Sequence, residues 1–174
     1  MSRADFPNVF GWPRLSGMEA LLSQIAGALL ARKQTLATAE SCTGGLVGAA
    51  LTSLPGSSAW YLGGIVAYSN ALKIRLLGVS PEILDAHGAV SLATARAMAA
   101  GARAATGADF AVSLTGIAGP DGGTKEKPVG LVYMAVAASH GTATFKHCFS
   151  GSRADVRNAA VEASLRHLLA ALVS

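Results

Sequence analysis

Apolar residues recur at Met18, Leu21, Leu22, Ile25, Leu29 and Leu30, a spacing that predicts an amphipathic helix running to about Lys33. Ser16 and Glu19, three apart, form a capping box at its start. Residues 35–39 are a short β-prone run, followed by Ser-Cys-Thr-Gly-Gly and a second helical stretch that stops before Pro55 and Gly56. That order reads as strand, tight loop, helix. Residues 61–68 predict another strand, after which Ser69 caps a short helix closed by Gly78. Ser80-Pro81-Glu82 opens a further short helix, and Ser91 caps an alanine-rich one over 92–105 that Gly107 stops. Residues 110–114 are a compact strand. Residues 115–130 hold five glycines and two prolines and predict a long ordered loop. Strands over 131–138 and 142–149 meet in a hairpin at His140 and Gly141, and Ser152 with Asp155 opens a last helix that buries Val156, Val161, Leu165, Leu168 and Leu172.

Helices alternate with single strands over the first two thirds and a hairpin follows. The pattern predicts an α/β fold, a three-layer α/β/α domain on a mixed, mostly parallel sheet. It places a leader over residues 1–17 and one domain over 18–174. With 174 residues, 51% hydrophobic and 14% charged, the chain can bury a core without metals or disulfides, and charges and glycines break every apolar run short of a membrane span. A soluble protein is expected. The two cysteines, Cys42 and Cys148, make no disulfide framework, so a cytoplasmic location is the simpler reading. A net charge of +4 suits an anionic ligand, but the basic residues are scattered rather than run together as in a nucleic-acid binder.

Four segments carry candidate chemistry. In Ala39 to Gly45, a serine at a strand-to-helix turn points its hydroxyl out beside unpaired backbone N–H groups, and Gly44 and Gly45 let a ligand approach the main chain. Ser41 is the candidate nucleophile and Thr43, Gly44 and Gly45 the candidate oxyanion cradle; the plainer alternative makes Ser41 or Thr43 a helix cap. In Tyr68-Ser69-Asn70-Ala71-Leu72-Lys73, Lys73 falls near a helix start, where the dipole disfavours a cation. A lysine so placed and buried loses basicity and can act as a base at neutral pH, whereas a solvated surface lysine would do nothing. Tyr68 either packs as a staple or serves the site, and Asn70 is a candidate substrate contact. In the long loop, Gly116, Gly119, Gly122 and Gly123 can form an anion-binding nest, or merely a turn. In 149–157, Arg153 and Arg157 lie four apart at a helix start and can clamp a phosphate, or pair with Asp155 or Glu162. No metal-ligand spacing joins His87, His140, His147, His167 and the cysteines, so neither metal nor cofactor is expected. Cys42, beside Ser41, is a rival nucleophile.

Taken together, AESCTGG, YSNALK, GAVS at 88–91, TGIAGPDGGTKEKPVG and FSGSRADVR, in this order over nearly the whole chain, resemble the C-terminal domain of the CinA family. The resemblance implies a fold similar to the anticodon-binding-domain type, a homodimer or higher homo-oligomer, and no metal. Stand-alone members of that family resemble nicotinamide mononucleotide deamidase, so a small-molecule nucleotide substrate is implied, with no nucleic-acid or membrane partner. Carried over by motif, the family's serine nucleophile falls on Ser41, its tyrosine on Tyr68, its lysine on Lys73 and a substrate arginine on Arg153 or Arg157. The competing expectation is a binding module without catalysis, linked to competence or DNA damage.

Overall fold

The computed structural model describes residues 17–173. Helix α1 spans Glu19–Arg32, strand β1 Leu36–Glu40, α2 Leu46–Thr52, β2 Tyr61–Val66, α3 Asn70–Leu77, α4 Pro81–His87, α5 Leu92–Thr106, β3 Phe110–Gly116, β4 Leu131–Ala138, β5 Gly141–Cys148 and α6 Arg153–Val173. The five strands form one sheet in the order β2-β1-β3-β4-β5. β1 pairs in parallel with β2 and β3, while the β3–β4 and β4–β5 pairings are antiparallel, so of the five strands β4 alone runs against the rest and the sheet is mixed with most strands pointing one way, as expected.

All five residues of β1 are buried, as a central strand covered on both faces must be. On one face α1, α2 and α6 pack Ile25, Leu29, Leu51, Leu165 and Leu168 against Leu36, Leu114 and Met134 of the sheet. On the other, α5 brings Met98 and Ala102 against Ala39 and Ala111, with Leu77 and Val79 beneath α3 and α4. Alanines 95 and 99 of α5 meet Ala135 and Ala137 of β4, and the small side chains let helix and strand approach closely. The expected three layers are present.

The ends of elements depart from the sequence pattern in informative ways. The capping serine expected for α1, Ser16, lies outside the described residues, as does the leader apart from Gly17; Met18 occupies the cap position without a side-chain bond. β2 stops at Val66 rather than at Tyr68, and the next two carbonyls turn to a side chain instead of a strand. The caps at Ser69, Ser80 and Ser91 form as the sequence predicts, each hydroxyl accepting an amide three residues on. Ser152 and Asp155 likewise cap one another at the start of α6, at 2.9 Å and 3.3 Å.

One helix crossing depends on a missing side chain. A β-carbon on Gly101 would fall inside the backbone carbonyl of Leu77, where α5 crosses the end of α3. Gly101→Ala is therefore expected to destabilise the fold by about 2 kcal/mol or more despite alanine's better helix propensity, which for a chain of this size lowers Tm by about 4–8 °C. Thermal unfolding followed by circular dichroism checks this; an unchanged or raised Tm contradicts the packing.

Candidate active site

β1 has a parallel neighbour on each side, and the connection leaving it crosses one face of the sheet while the chain returning to β3 crosses the other. Such a switch point leaves a crevice beyond the carboxyl ends of the strands. Ser41 is the first residue past β1 and is held there by its amide, which donates to Leu114 O at 3.0 Å. The turn after it needs two consecutive left-handed residues, Gly44 at φ 62° and Gly45 at φ 98°, which only glycine adopts at little cost. Gly45 then stands at the cap position of α2. Neither Ser41 nor Thr43 caps that helix.

The cap comes from Glu40, which the sequence pattern did not single out. Its carboxylate is 1% exposed and accepts the amides of Gly45 at 3.0 Å, Val47 at 3.1 Å and Gly48 at 2.9 Å. Two of the three expected oxyanion donors are thereby spent, since Gly45 N–H goes to Glu40 and Gly44 N–H closes back on Ser41 O at 3.1 Å. The donors left to the turn are the Thr43 amide and the Cys42 amide, the latter also lying against its own sulfur. Glu40 lies within the AESCTGG motif just past the predicted strand, but nothing in the motif assigned it a role; only its position five to eight residues before helix amides that lack a local cap could have revealed it.

Lys73, in the first turns of α3, is 1% exposed. Its Nζ lies 3.0 Å from Ser41 Oγ, 3.0 Å from Ala67 O and 3.0 Å from Tyr68 O. Desolvation lowers its pKa from the ordinary 10.5. As an ammonium it donates to all three oxygens. As a neutral amine it has two N–H groups, which the two carbonyls take because they can only accept, and its lone pair is left for the Ser41 hydroxyl proton. Three contacts thus aim an acceptor at one hydroxyl.

Cys42 is buried, and its thiol is pushed up to about 11, chiefly by burial and further by the Glu40 charge. It is a poor source of thiolate at neutral pH. Tyr68 does not pack as a staple: its ring is 59% exposed and its hydroxyl accepts from Arg153 Nη2 at 3.2 Å. Only its backbone carbonyl reaches Lys73, so the phenol has no direct hold on the amine.

Arg153 and Arg157 both converge on this end of the sheet, at different depths. Arg153 is exposed and spans Tyr68 and Gly119, donating to Gly119 O at 2.8 Å. Arg157 is half-buried and donates from Nη2 to Thr43 O at 2.8 Å, behind the serine turn. Arg157 Nε and Thr43 Oγ1 are both buried with no hydrogen-bond partner, so polar capacity remains beside the turn.

Of the loop glycines, Gly119 alone touches the site through a hydrogen bond, by its carbonyl to Arg153. Gly116, Gly119 and Gly123 are small because the loop folds on itself: a β-carbon there would meet Leu131 O at 2.6 Å, Val129 Cγ1 at 2.6 Å and Val129 N at 2.8 Å. Gly122 is exposed with φ 88°, and a β-carbon there would make only an ordinary contact with Ile117 Cγ2 at 3.8 Å, so its backbone conformation and not crowding favours glycine. Among the described residues, no hydrogen bond joins Asn70, Gly116, Gly122 or Gly123 to Ser41 or Lys73. The 88–91 segment is also architectural, its Ala89 carbonyl accepting from Thr115 Oγ1 at 2.7 Å.

The fold and this end of the sheet define a class: an α/β protein with a serine hydroxyl and a buried lysine amine in contact at the carboxyl ends of parallel strands. Residues 18–172 match the model of the CinA C-terminal domain, and the chain belongs to the CinA family. The nicotinamide-nucleotide amidohydrolase PncC of Escherichia coli is 49% identical over 154 residues, covering 88% of this chain and 93% of that protein. A CinA-like protein of Anaeromyxobacter dehalogenans is 50% identical over 164 residues, 94% of this chain but 39% of that protein. The chain spans only about a third of the longer curated relatives, 34% of one from Desulforudis audaxviator. The crystal structure of a competence/damage inducible protein from Agrobacterium tumefaciens superposes with a TM-score of 0.87 at 43% identity, covering 90% of this chain and 96% of that one.

Proposed function

We propose that this chain is a nicotinamide-nucleotide amidohydrolase that converts nicotinamide mononucleotide to nicotinic acid mononucleotide and ammonia by a serine–lysine mechanism. The observation that carries the chemistry is the 3.0 Å contact between Ser41 Oγ and a lysine amine whose other hydrogens are committed to two carbonyls. The similarity to PncC, along almost the full length of both chains, supports the substrate.

Neutral Lys73 takes the Ser41 proton as Oγ attacks the carboxamide carbon, made electrophilic by the cationic pyridinium ring. The tetrahedral oxyanion faces the amides of Cys42 and Thr43. Lys73 returns the proton to the departing nitrogen, ammonia leaves, and an acyl ester on Ser41 remains. Water attacks that ester with Lys73 again as base, and the nicotinate carboxylate departs as Ser41 regains its proton.

Arg153 is the phosphate ligand in this reading, because it is exposed and held in place by Tyr68 and Gly119, whereas Arg157 is half-buried behind the serine turn. Arg153→Ala is expected to raise KM by about 10- to 100-fold with kcat changed by less than about threefold. Steady-state kinetics checks it, and an unchanged KM moves the phosphate elsewhere. No helix among the described residues is long and apolar enough to cross a membrane. Cys42 and Cys148 are free thiols, in keeping with work in the cytoplasm. Assembly as a homodimer or higher oligomer belongs to the same reading, and α3 offers Leu72, Ile74 and Leu76 as exposed apolar residues for it.

The deciding experiment is ammonia release from nicotinamide mononucleotide by purified protein. Stoichiometric ammonia and nicotinic acid mononucleotide are expected; neither product, together with salt-dependent DNA binding, would instead support a competence-related binding module.

A further inference from the structure

We propose that Glu40 is a positioning residue for Ser41, its buried carboxylate locking the turn between β1 and α2 in the one geometry that brings the hydroxyl to Lys73; this rests on the serine–lysine reading above. Glu40 immediately precedes Ser41, and its two ends tie the two halves of the site together. Its backbone carbonyl accepts from Ala67 N at 2.9 Å, and the Ala67 carbonyl in turn accepts from Lys73 Nζ at 3.0 Å. Its side chain, pointing the other way, gathers the amides of Gly45, Val47 and Gly48.

Those bonds run back across the turn that carries Ser41, from the end of the strand to the first turn of the helix. They substitute for a cap that Gly45 has no side chain to supply. An anion is suited to the task, since amide donors at a helix start hold a carboxylate more strongly than a neutral oxygen. Arg157 holds the same turn from the opposite polarity, through the Thr43 carbonyl. Glutamine keeps the shape but not the pattern: its single oxygen serves one side of the fork, and its NH2 group is left facing N–H donors. Aspartate, one methylene shorter, cannot span from Gly45 to Gly48. The same negative charge adds to the burial that keeps the Cys42 thiol protonated, so that the neighbouring sulfur stays out of the reaction.

A displacement of the hydroxyl by about 1 Å is enough to cost on the order of 100-fold in rate. Glu40→Gln is therefore expected to lower kcat for the mononucleotide by about 10- to 100-fold while KM stays within about threefold, and Glu40→Asp to do at least as much. Leu168→Ala, a core deletion in the distal half of α6, is the control for lost stability: it lowers Tm at least as far but keeps kcat within about twofold. A folded Glu40→Gln protein with wild-type kcat, or one in which only KM changes, overturns the proposal.

The labelling of Ser41 by a small aryl sulfonyl fluoride, followed by mass spectrometry, separates this proposal from the substrate assignment. If the wild type releases no ammonia, the assignment of substrate fails on its own. Glu40 is then judged by labelling, with at least about tenfold slower modification of Ser41 expected in Glu40→Gln, and equal rates, including none in either, overturning its role.

Discussion

Ser41→Ala is expected to lower kcat for amide hydrolysis on the order of 10⁴-fold or more, while Cys42→Ala stays within about threefold of the wild type. The two side chains are adjacent in sequence and differ in what surrounds them. The Ser41 hydroxyl lies 3.0 Å from an amine that can take its proton. The Cys42 thiol, raised to about 11, is ionised in roughly one molecule in 10⁴ at pH 7, and burial shields it further. A steady-state assay of both variants decides between the two nucleophiles; activity kept without the hydroxyl and lost without the thiol reverses the assignment.

Lys73→Ala is expected to lower kcat by about 10³- to 10⁴-fold with little change in KM, since the amine acts on Ser41 and not on the bound nucleotide. The wild-type pH profile carries the same information. Only the unprotonated amine accepts a proton, so kcat/KM should rise with pH at unit slope until it passes the Lys73 pKa, and desolvation has moved that point below 10.5. A profile without a rising acid limb below the ordinary lysine value of 10.5 would take the lysine out of the mechanism.

Stability should follow the same titration. Between the lowered folded value and the ordinary 10.5, the unfolded chain binds more protons at this lysine than the folded chain does. Wild-type stability therefore climbs with pH across that window relative to Lys73→Ala, which has nothing to titrate. Denaturant unfolding at several pH values measures the difference; parallel curves for the two proteins would mean the lysine is not desolvated.

The layers of the fold were legible because local signals agreed with one another. Ser69, Ser80 and Ser91 each stood before a periodic stretch and each caps a helix. The reversal of β4 was harder to read, since the long loop separates it from β3 and no local pattern states which way the chain returns. Lys73 was visible as a residue placed against the dipole of its helix, a violated local rule that marks a cost retained for function. The role of Glu40, a member of the AESCTGG motif, was hidden for the opposite reason. It satisfies a rule, the capping of a helix, from a distance and from inside a strand, and its partners are backbone amides that leave no trace in side-chain identity. The packing need of the loop glycines was not legible because glycine serves close packing as readily as anion binding, and nothing in the pattern says that Val129 folds back against Gly119 and Gly123.

Both carbonyls that grip the lysine belong to the residues just upstream of it, Ala67 and Tyr68, so the amine is oriented by its own short stretch of chain. In the proposed mechanism the proton acceptor is thus aimed by one bend, which the Glu40 carbonyl fastens to β1 through the Ala67 amide. On that reading, exchanging the side chain at position 41 removes neither of these two backbone contacts to the amine, and the bend becomes a starting point for redesigning acyl-transfer chemistry on the same scaffold.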